Sequence, residues 1–324
     1  MIIFRADISA QTGLQHLRRC AYLAALLKKN NQVLICSRKD KKTAKFLAER
    51  NIPTEFIKDP CAMDLAGITA IVFDLPNFSV PDSALFEKAA KAGVKTVQII
   101  GIEGEFQPAD FCVLPFPGAA PTAATGTALL AGAEYALLHH KFRHFNKAKR
   151  KYCKNIKIIF INLGDLLPYR ELRQIIDTLH RLHFKMKIVP GLNLKKADKR
   201  NLLKIYPGIH FCGRSESPAR AYFEADLALV PPGEEAWEAA AVGTPALYLS
   251  LDPGLAALAE TCSGLGIGVK IPPLADWSVQ SVRAAIAPLD PGQREKMGVA
   301  GKALVDGLGV QRFLKILKEN GIIA

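Results

Sequence analysis

Two side chains stand where residue type and neighbours suggest chemistry: a histidine at position 16 and a glutamate at position 238. His16 follows "FRADISAQTGLQ", which begins as the edge of a buried strand, passes through a polar turn ending at Gly13 and becomes an amphipathic helix. Such a loop offers backbone N–H groups and the positive end of a helix dipole, a natural seat for a phosphate or carboxylate. A neutral imidazole in the first helical turn suits a general base near neutral pH, with helix capping or packing as the other reading. Gly13 is the one glycine where a dinucleotide fingerprint would need three, which argues against a nicotinamide dehydrogenase.

Glu238 belongs to "DLALVPPGEEAWEAAAVGTPALYLS". A buried strand there ends in Pro231-Pro232-Gly233, a helix follows, and Gly243-Thr244-Pro245 closes it before another strand. A carboxylate in the first turns of that helix can accept two hydrogen bonds from a ribose diol, and a surface or capping glutamate is the alternative.

No other group of residues points to a reaction. His140 and His144 have i, i+4 spacing without a carboxylate or cysteine arranged beside them, so no metal is expected. The seven cysteines are scattered, odd in number and without a C-x-x-C pair, which argues against a disulfide framework or a zinc site. The glycine-rich stretch 264–268 follows a helix and leads into a strand, and reads as a C-cap and turn.

The elements that must position these residues alternate. In the first half, apolar strand-like runs at 2–5, 32–36, 69–73, 95–100 and 111–114 are interleaved with helical patterns at 13–29, 41–50 and 82–92. After a basic stretch at 141–157 the alternation restarts, with strands expected at 157–161, 185–189, 208–211, 227–230, 246–251 and 268–271. Helices are expected there at about 166–182, 217–225, 235–242 and 254–263. Strands alternating with helices imply right-handed crossovers and parallel sheets, hence two α/β domains with a cleft between them. Ligands of such sheets bind beyond the carboxyl ends of the strands, where His16 and Glu238 fall.

Composition agrees with a globular chain: 49% of its 324 residues are hydrophobic and 23% charged. The absence of a long apolar run and of a signal-like N-terminus leads to the expectation of a cytoplasmic protein. A net charge of +13 favours anionic partners. The basic clusters at 38–42, 141–157 and 195–200 read as solvated faces that could also touch a membrane surface peripherally. They lack the interleaved aromatics of a nucleic-acid site, so no nucleic-acid partner is expected.

The run F-R-A-D-x-S-x-Q-T-G-L-Q-H-L-x-R resembles the opening of the nucleotide-sugar hydrolases of pseudaminic acid biosynthesis and their spore-coat polysaccharide relatives, which read R-x-D-x-S-x-x-x-G-x-G-H there. Asp74 at a strand end continues the likeness, as does "GAEYALLHHKF", whose tyrosine is Tyr135. The W-E-x-x-x-x-G-x-P at 237–245 is similar to the nucleotide-binding signature of the N-acetylglucosaminyltransferase of peptidoglycan synthesis.

The resemblance implies a GT-B architecture of two Rossmann-like domains. Residues 1–150 would lie on the sugar or acceptor side and 151–324 on the nucleotide side, with the last helix (310–320) packing back on the first domain. It implies a UDP-sugar as partner and no cofactor. His16 would activate water against the anomeric carbon, with Asp74 as the second catalytic residue and Glu238 on the ribose. Arg5, Asp7, Gly13 and Tyr135 would shape the sugar side, and Gly164, Asp165 and Gly233 the nucleotide side. The activity expected is nucleotide-sugar hydrolysis or a related glycosyl transfer in cell-surface or spore-coat glycan synthesis.

Departures from the pattern point to an alternative, a catalytically inactive relative that binds a glycan precursor or a protein partner. Gln15 replaces the second glycine of G-x-G-H, and Asn162-Leu163 replace Gly-Gly. Gly101-Ile102 stand for an acidic pair, Pro115 for an asparagine, His139 for an arginine and Leu251-Asp252-Pro253 for an Asn-Gln turn. Glu234 and Glu235 occupy the turn that would cradle a diphosphate. A carboxylate about 4 Å from a phosphate charge costs about 1 kcal/mol in water and about 4 at an effective dielectric of 20. A helix dipole returns only about 0.3–1 kcal/mol.

Overall fold

The structure, a computed structural model, describes residues 1–8, 13–101, 104–116, 126–165, 167–213 and 216–324. The chain divides into two compact units, Met1–Leu137 with Leu308–Ala324, and Leu138–Gly307. The division falls ahead of the boundary near residue 150 read from the sequence, so the basic helix that follows Leu138 groups with the second unit.

In the first unit the order is β1 (Ile2–Ala6), α1 (Gln15–Leu27), β2 (Val33–Ser37), α2 (Lys41–Ala48), β3 (Thr54–Phe56), β4 (Ala70–Asp74), α3 (Val80–Lys91), β5 (Lys95–Ile99), β6 (Phe111–Leu114) and β7 (Ala128–Ala131). All seven strands are parallel, in the order β3-β2-β1-β4-β5-β6-β7. Every residue of β1, β4 and β6 is buried, as befits a parallel sheet covered on both faces. The sequence reading lacked β3 and β7, the two edge strands. Both are short and largely exposed, so neither carries an apolar run or a clean alternation.

Local signals place the helices. α1 turns Leu17, Cys20, Ala21, Ala24 and Leu27 inward at helical spacing. α3 starts on a capping box between Ser79 and Asp82, with a proline in its first turn. From β1 the chain runs outward to β2 and β3, then returns to β4 on the other side of β1. That reversal opens a crevice beyond the carboxyl ends of β1 and β4.

The second unit holds α4 (His140–Lys147), β8 (Ile158–Ile161), α5 (Tyr169–Arg181), β9 (Lys185–Ile188), α6 (Lys196–Ile205), β10 (Ile209–Phe211), α7 (Pro218–Glu224), β11 (Leu227–Val230), α8 (Glu234–Ala241), β12 (Ala246–Tyr248), α9 (Ala256–Gly264), β13 (Gly268–Lys270), α10 (Val279–Ile286) and α11 (Pro291–Leu304). Its six strands are parallel in the order β10-β9-β8-β11-β12-β13, with the same reversal between β8 and β11. Helix α6 takes up the basic cluster at 195–200.

Two arginines depart from the expectation that the basic clusters are simply solvated. Arg150 Nη1 donates to Phe223 O at 2.7 Å and to Thr244 Oγ1 at 2.9 Å, while Arg143 Nη1 reaches Asp306 O at 3.1 Å. Phe223 O lies in the last turn of α7 and Asp306 O just past α11, so both arginines satisfy carbonyls at helix C-terminal ends. Lys141, Lys147, Lys149, Lys151, Lys154 and Lys157 remain exposed.

Helix α12 (Gly309–Glu319) returns to the first unit. Phe313 and Leu317 are fully buried, each contributing about 1.5–3 kcal/mol. Arg312 Nη1 donates to Glu134 O at 2.8 Å, and the Ala324 amide to Asn31 Oδ1 at 3.0 Å. Among the described residues no helix is long and apolar enough to cross a membrane.

Candidate functional site

In the first unit, Ala6 at the end of β1 pairs with Asp74 at the end of β4. Gly13 takes a φ of 62°, the left-handed conformation that favours glycine, and leads into α1, whose first turn carries His16. His16 Nδ1 lies 2.6 Å from Asp74 Oδ1. One turn on, Arg19 Nε donates to Asp74 Oδ2 at 2.7 Å and Nη2 to Oδ1 at 2.5 Å. The Cys20 thiol reaches Oδ2 at 3.6 Å.

The electrostatics follow from this arrangement. Burial alone would raise the Asp74 carboxyl, but the Arg19 guanidinium and then His16 hold it well below the usual carboxylate range. An ionised Asp74 is matched to an Nδ1–H on His16, the tautomer in which Nε2 carries the lone pair. That Nε2 is buried and has no hydrogen-bond partner among the described residues. Gly101, just past β5, borders the ring: a Cβ there would stand 3.8 Å from His16 Cε1. His16 is 3% exposed, so it does not stand at an open mouth as its loop position implied. The arrangement is a buried imidazole held in place by a carboxylate.

Arg5 and Asp7 form a second network beside it. Arg5 is fully buried and donates to Asp82 Oδ1 at 2.9 Å and to Asp7 Oδ2 at 2.5 Å. Asp7 also accepts from the Arg38 amide at 2.7 Å and from Ser37 Oγ at 3.0 Å. Burial opposes ionisation of Asp7, yet the Arg5 bond and charge keep its carboxyl below the ordinary range. Arg38 Nη2 completes the ring of charges, 3.2 Å from Asp82 Oδ2. A cavity of about 280 Å³ opens here, lined by Asp7, Arg38, Asp40, Thr43, Asn77 and Asp82 among others. Asp7 faces this cavity, whereas Arg5 lies beneath it as a brace.

Tyr135 lies elsewhere in the unit, in the short turn Ala133–Tyr135 against which α12 packs. No hydrogen bond joins it to His16 or Asp74 among the described residues. The turn at 9–12 and Ile102 lie outside the described residues.

In the second unit, Asn162 follows β8 and Glu238 sits on α8 after β11, the strand beside β8. Asn162 Nδ2 donates to Glu238 Oε2 at 3.4 Å and to the Tyr222 hydroxyl at 3.1 Å. Tyr222 is fully buried, and burial followed by the Glu238 charge pushes its hydroxyl well above the ordinary value. Gly164 adopts a φ of 77°, and Asp165 O accepts the Leu192 amide at 2.7 Å, bracing this loop against the one after β9. Gly233 is the N-cap of α8, with Glu234 and Glu235 half-buried in the first turn.

Three participants escaped the sequence reading. Arg19 carried a signal, since i and i+3 share a helical face. Asp82 was visible only as the first residue of an expected helix. Asn162 was noted as a departure from a pattern, and its partners are 60 and 76 residues away. His139, where the pattern expected an arginine, caps α4 through Nδ1 and stacks on His140 with ring centres 4.1 Å apart. Burial pulls its pKa down to about 4.

No protein-family model matches the chain, and no curated protein matches it in sequence. Solved structures do match. MurG of Acinetobacter baumannii superposes with a TM-score of 0.69 at 15% identity, over 98% of this chain and 99% of that one. The glycotransferase of kitacinnamycin gives 0.65 at 13%, over 98% of both chains. UGT2 of Phytolacca americana, complexed with UDP-2-fluoro-glucose and pterostilbene, gives 0.62 at 11%, over 99% of both. The fold of this chain is therefore the GT-B fold of glycosyltransferases, built from two Rossmann-like units with parallel sheets of seven and six strands.

Proposed function

We propose that the protein acts on a nucleotide-sugar, a UDP-sugar by preference, as a hydrolase or a related glycosyltransferase of cell-surface or spore-coat glycan synthesis. The observation that supports this reading is the His16–Asp74–Arg19 network, which orients the imidazole and leaves Nε2 buried without a hydrogen-bond partner among the described residues. His16 Nε2 takes the proton of a water or an acceptor hydroxyl. The oxygen forms a bond to the anomeric carbon, the bond from that carbon to the diphosphate oxygen breaks, and UDP leaves with the electron pair. Asp74 remains ionised and stabilises the imidazolium that forms. In this reading Glu238 takes the ribose hydroxyls, and the loops at Gly164, Asp165 and Gly233 receive the rest of the nucleotide. The UDP-sugar complex of the Phytolacca americana neighbour, and the UDP complexes of two others, support the choice of nucleotide.

One observation favours a second reading, a catalytically inactive relative that binds a glycan precursor or a protein partner. Glu234 and Glu235 lie in the first turn of α8, where helix N–H groups would otherwise receive phosphate.

A thermal-shift screen against UDP, GDP, CMP and their sugars separates the two. UDP at about 100 times its dissociation constant stabilises the folded chain by about 2.7 kcal/mol, and Glu238→Ala removes most of that shift. A chain that responds to no nucleotide or nucleotide-sugar is the inactive relative.

A further inference from the structure

We propose that His210, Cys212 and Glu216 form a binding site for a borderline-soft divalent cation, with zinc the best match to the three donors. They cluster at the outer edge of the second sheet, on strand β10 and shortly after it, two strands away from β8 and the Asn162 to Glu238 pair. Their imidazole nitrogen, sulfur and carboxylate oxygen all lie within 4.8 Å of one another.

The backbone brings them together in two steps. Side chains alternate along a strand. Ile209 and Phe211 pack on the core of the unit, so His210 and Cys212 share the opposite face. Two hydrogen bonds then tie Glu216 to the strand end: its amide donates to Gly213 O at 3.1 Å, and the Gly213 amide donates to Glu216 Oε1 at 2.8 Å. The carboxylate is thereby held over the strand end, 2.9 and 3.1 Å from His210 Nε2.

The chemistry of the trio fits a cation. Bonds of about 2.0–2.3 Å in a tetrahedron put ligand atoms roughly 3.4 Å apart, so the donors need only small side-chain rotations to reach it. A divalent cation held among a sulfur, an imidazole nitrogen and a carboxylate oxygen would be attracted to all three donors. On binding, the Cys212 proton leaves to solvent and His210 presents a ring-nitrogen lone pair, so the metal meets one thiolate, one neutral imidazole and one carboxylate. His210 is exposed, which leaves a fourth position open to water. The combination of nitrogen, sulfur and oxygen donors selects zinc over magnesium or calcium, which prefer oxygen alone. The sequence reading missed the site because H-x-C-x-x-x-E has none of the familiar cysteine-pair spacings.

The test is a titration of the reduced full-length chain with Co²⁺, read by the thiolate-to-cobalt absorption band and by displacement with Zn²⁺. One equivalent is expected to bind with the band present. Cys212→Ser is expected to abolish the band, while His210→Ala and Glu216→Gln each weaken binding about tenfold or more. Cys153→Ser, which alters an exposed cysteine outside the trio, is the control and should leave the band intact. Circular dichroism checks that each variant is folded. Absence of the band in the wild type, its survival in Cys212→Ser, or unchanged affinity in both His210→Ala and Glu216→Gln overturns the proposal.

Discussion

The guanidinium of Arg19 spans both carboxylate oxygens of Asp74, with Nε on Oδ2 at 2.7 Å and Nη2 on Oδ1 at 2.5 Å. Oδ1 also takes the His16 Nδ1 contact at 2.6 Å. Asp74 is thus a buried charge neutralised by one neighbour while it orients another, and the imidazole and the guanidinium come from opposite ends of a single helical turn.

Arg19→Met should therefore be among the most damaging single changes in the first unit. It leaves Asp74 charged, buried and without its cation, a situation that costs about 3–5 kcal/mol. Urea unfolding measures the loss. Adding Asp74→Asn to Arg19→Met should return part of it, because the two residues couple directly. A loss below about 1 kcal/mol in the single variant would contradict the charge accounting.

The acid limb of stability follows from the same pair. The folded pKa of Asp74 lies below its unfolded value of about 3.9, so its contribution is fully present above that value and is lost as pH falls through the folded one. Denaturant midpoints between pH 6 and pH 3 should decline toward the acid end. In Asp74→Asn, less stable at neutral pH, that decline should be shallower. Equal slopes in both proteins would mean that other carboxylates carry the acid limb.

In the proposed reaction, His16→Ala should lower turnover by about 10² to 10⁴, or roughly 3–5 kcal/mol of barrier, with UDP affinity held. Since His16 is buried on Asp74, stability should also drop, by about 1–3 kcal/mol. Steady-state kinetics alongside UDP titration distinguish the roles. Retained turnover with the stability loss alone would assign His16 to packing.

Gly309→Ala tests the return of α12. A Cβ at this position would stand 2.2 Å from Ala136 O, a backbone atom that cannot step aside cheaply. Gly309 is the first residue of α12, where helix propensity favours alanine by less than the about 1 kcal/mol of a helix interior. The close approach should reverse the sign and destabilise the first unit by about 1–3 kcal/mol, seen as a lower Tm. A raised Tm would show that α12 relaxes away from the turn.

Much of the architecture was legible in the residues themselves. The apolar runs of β1, β4, β8 and β11 and the helix of residues 15–27 announce α/β units, since burial period and chain direction are properties of a short segment. His16 could be singled out for the same reason, because the loop, Gly13 and the helix start are its immediate neighbours. The edge strands β3 and β7 were not legible. They are held by pairing with β2 and β6, and their own residues carry no burial pattern. Nor could any local pattern say that Arg19 meets Asp74 across 55 residues, that Arg5 meets Asp82 across 77, or that Asn162 turns toward Glu238. Those meetings depend on which strands lie side by side. Strand order is decided by how the helices cover both faces of the sheet, and a charged side chain becomes a buried partner only after that covering has excluded water. Helix, strand and turn were written locally, whereas the identity of each buried charge's partner was settled by the packing of segments far apart in the chain.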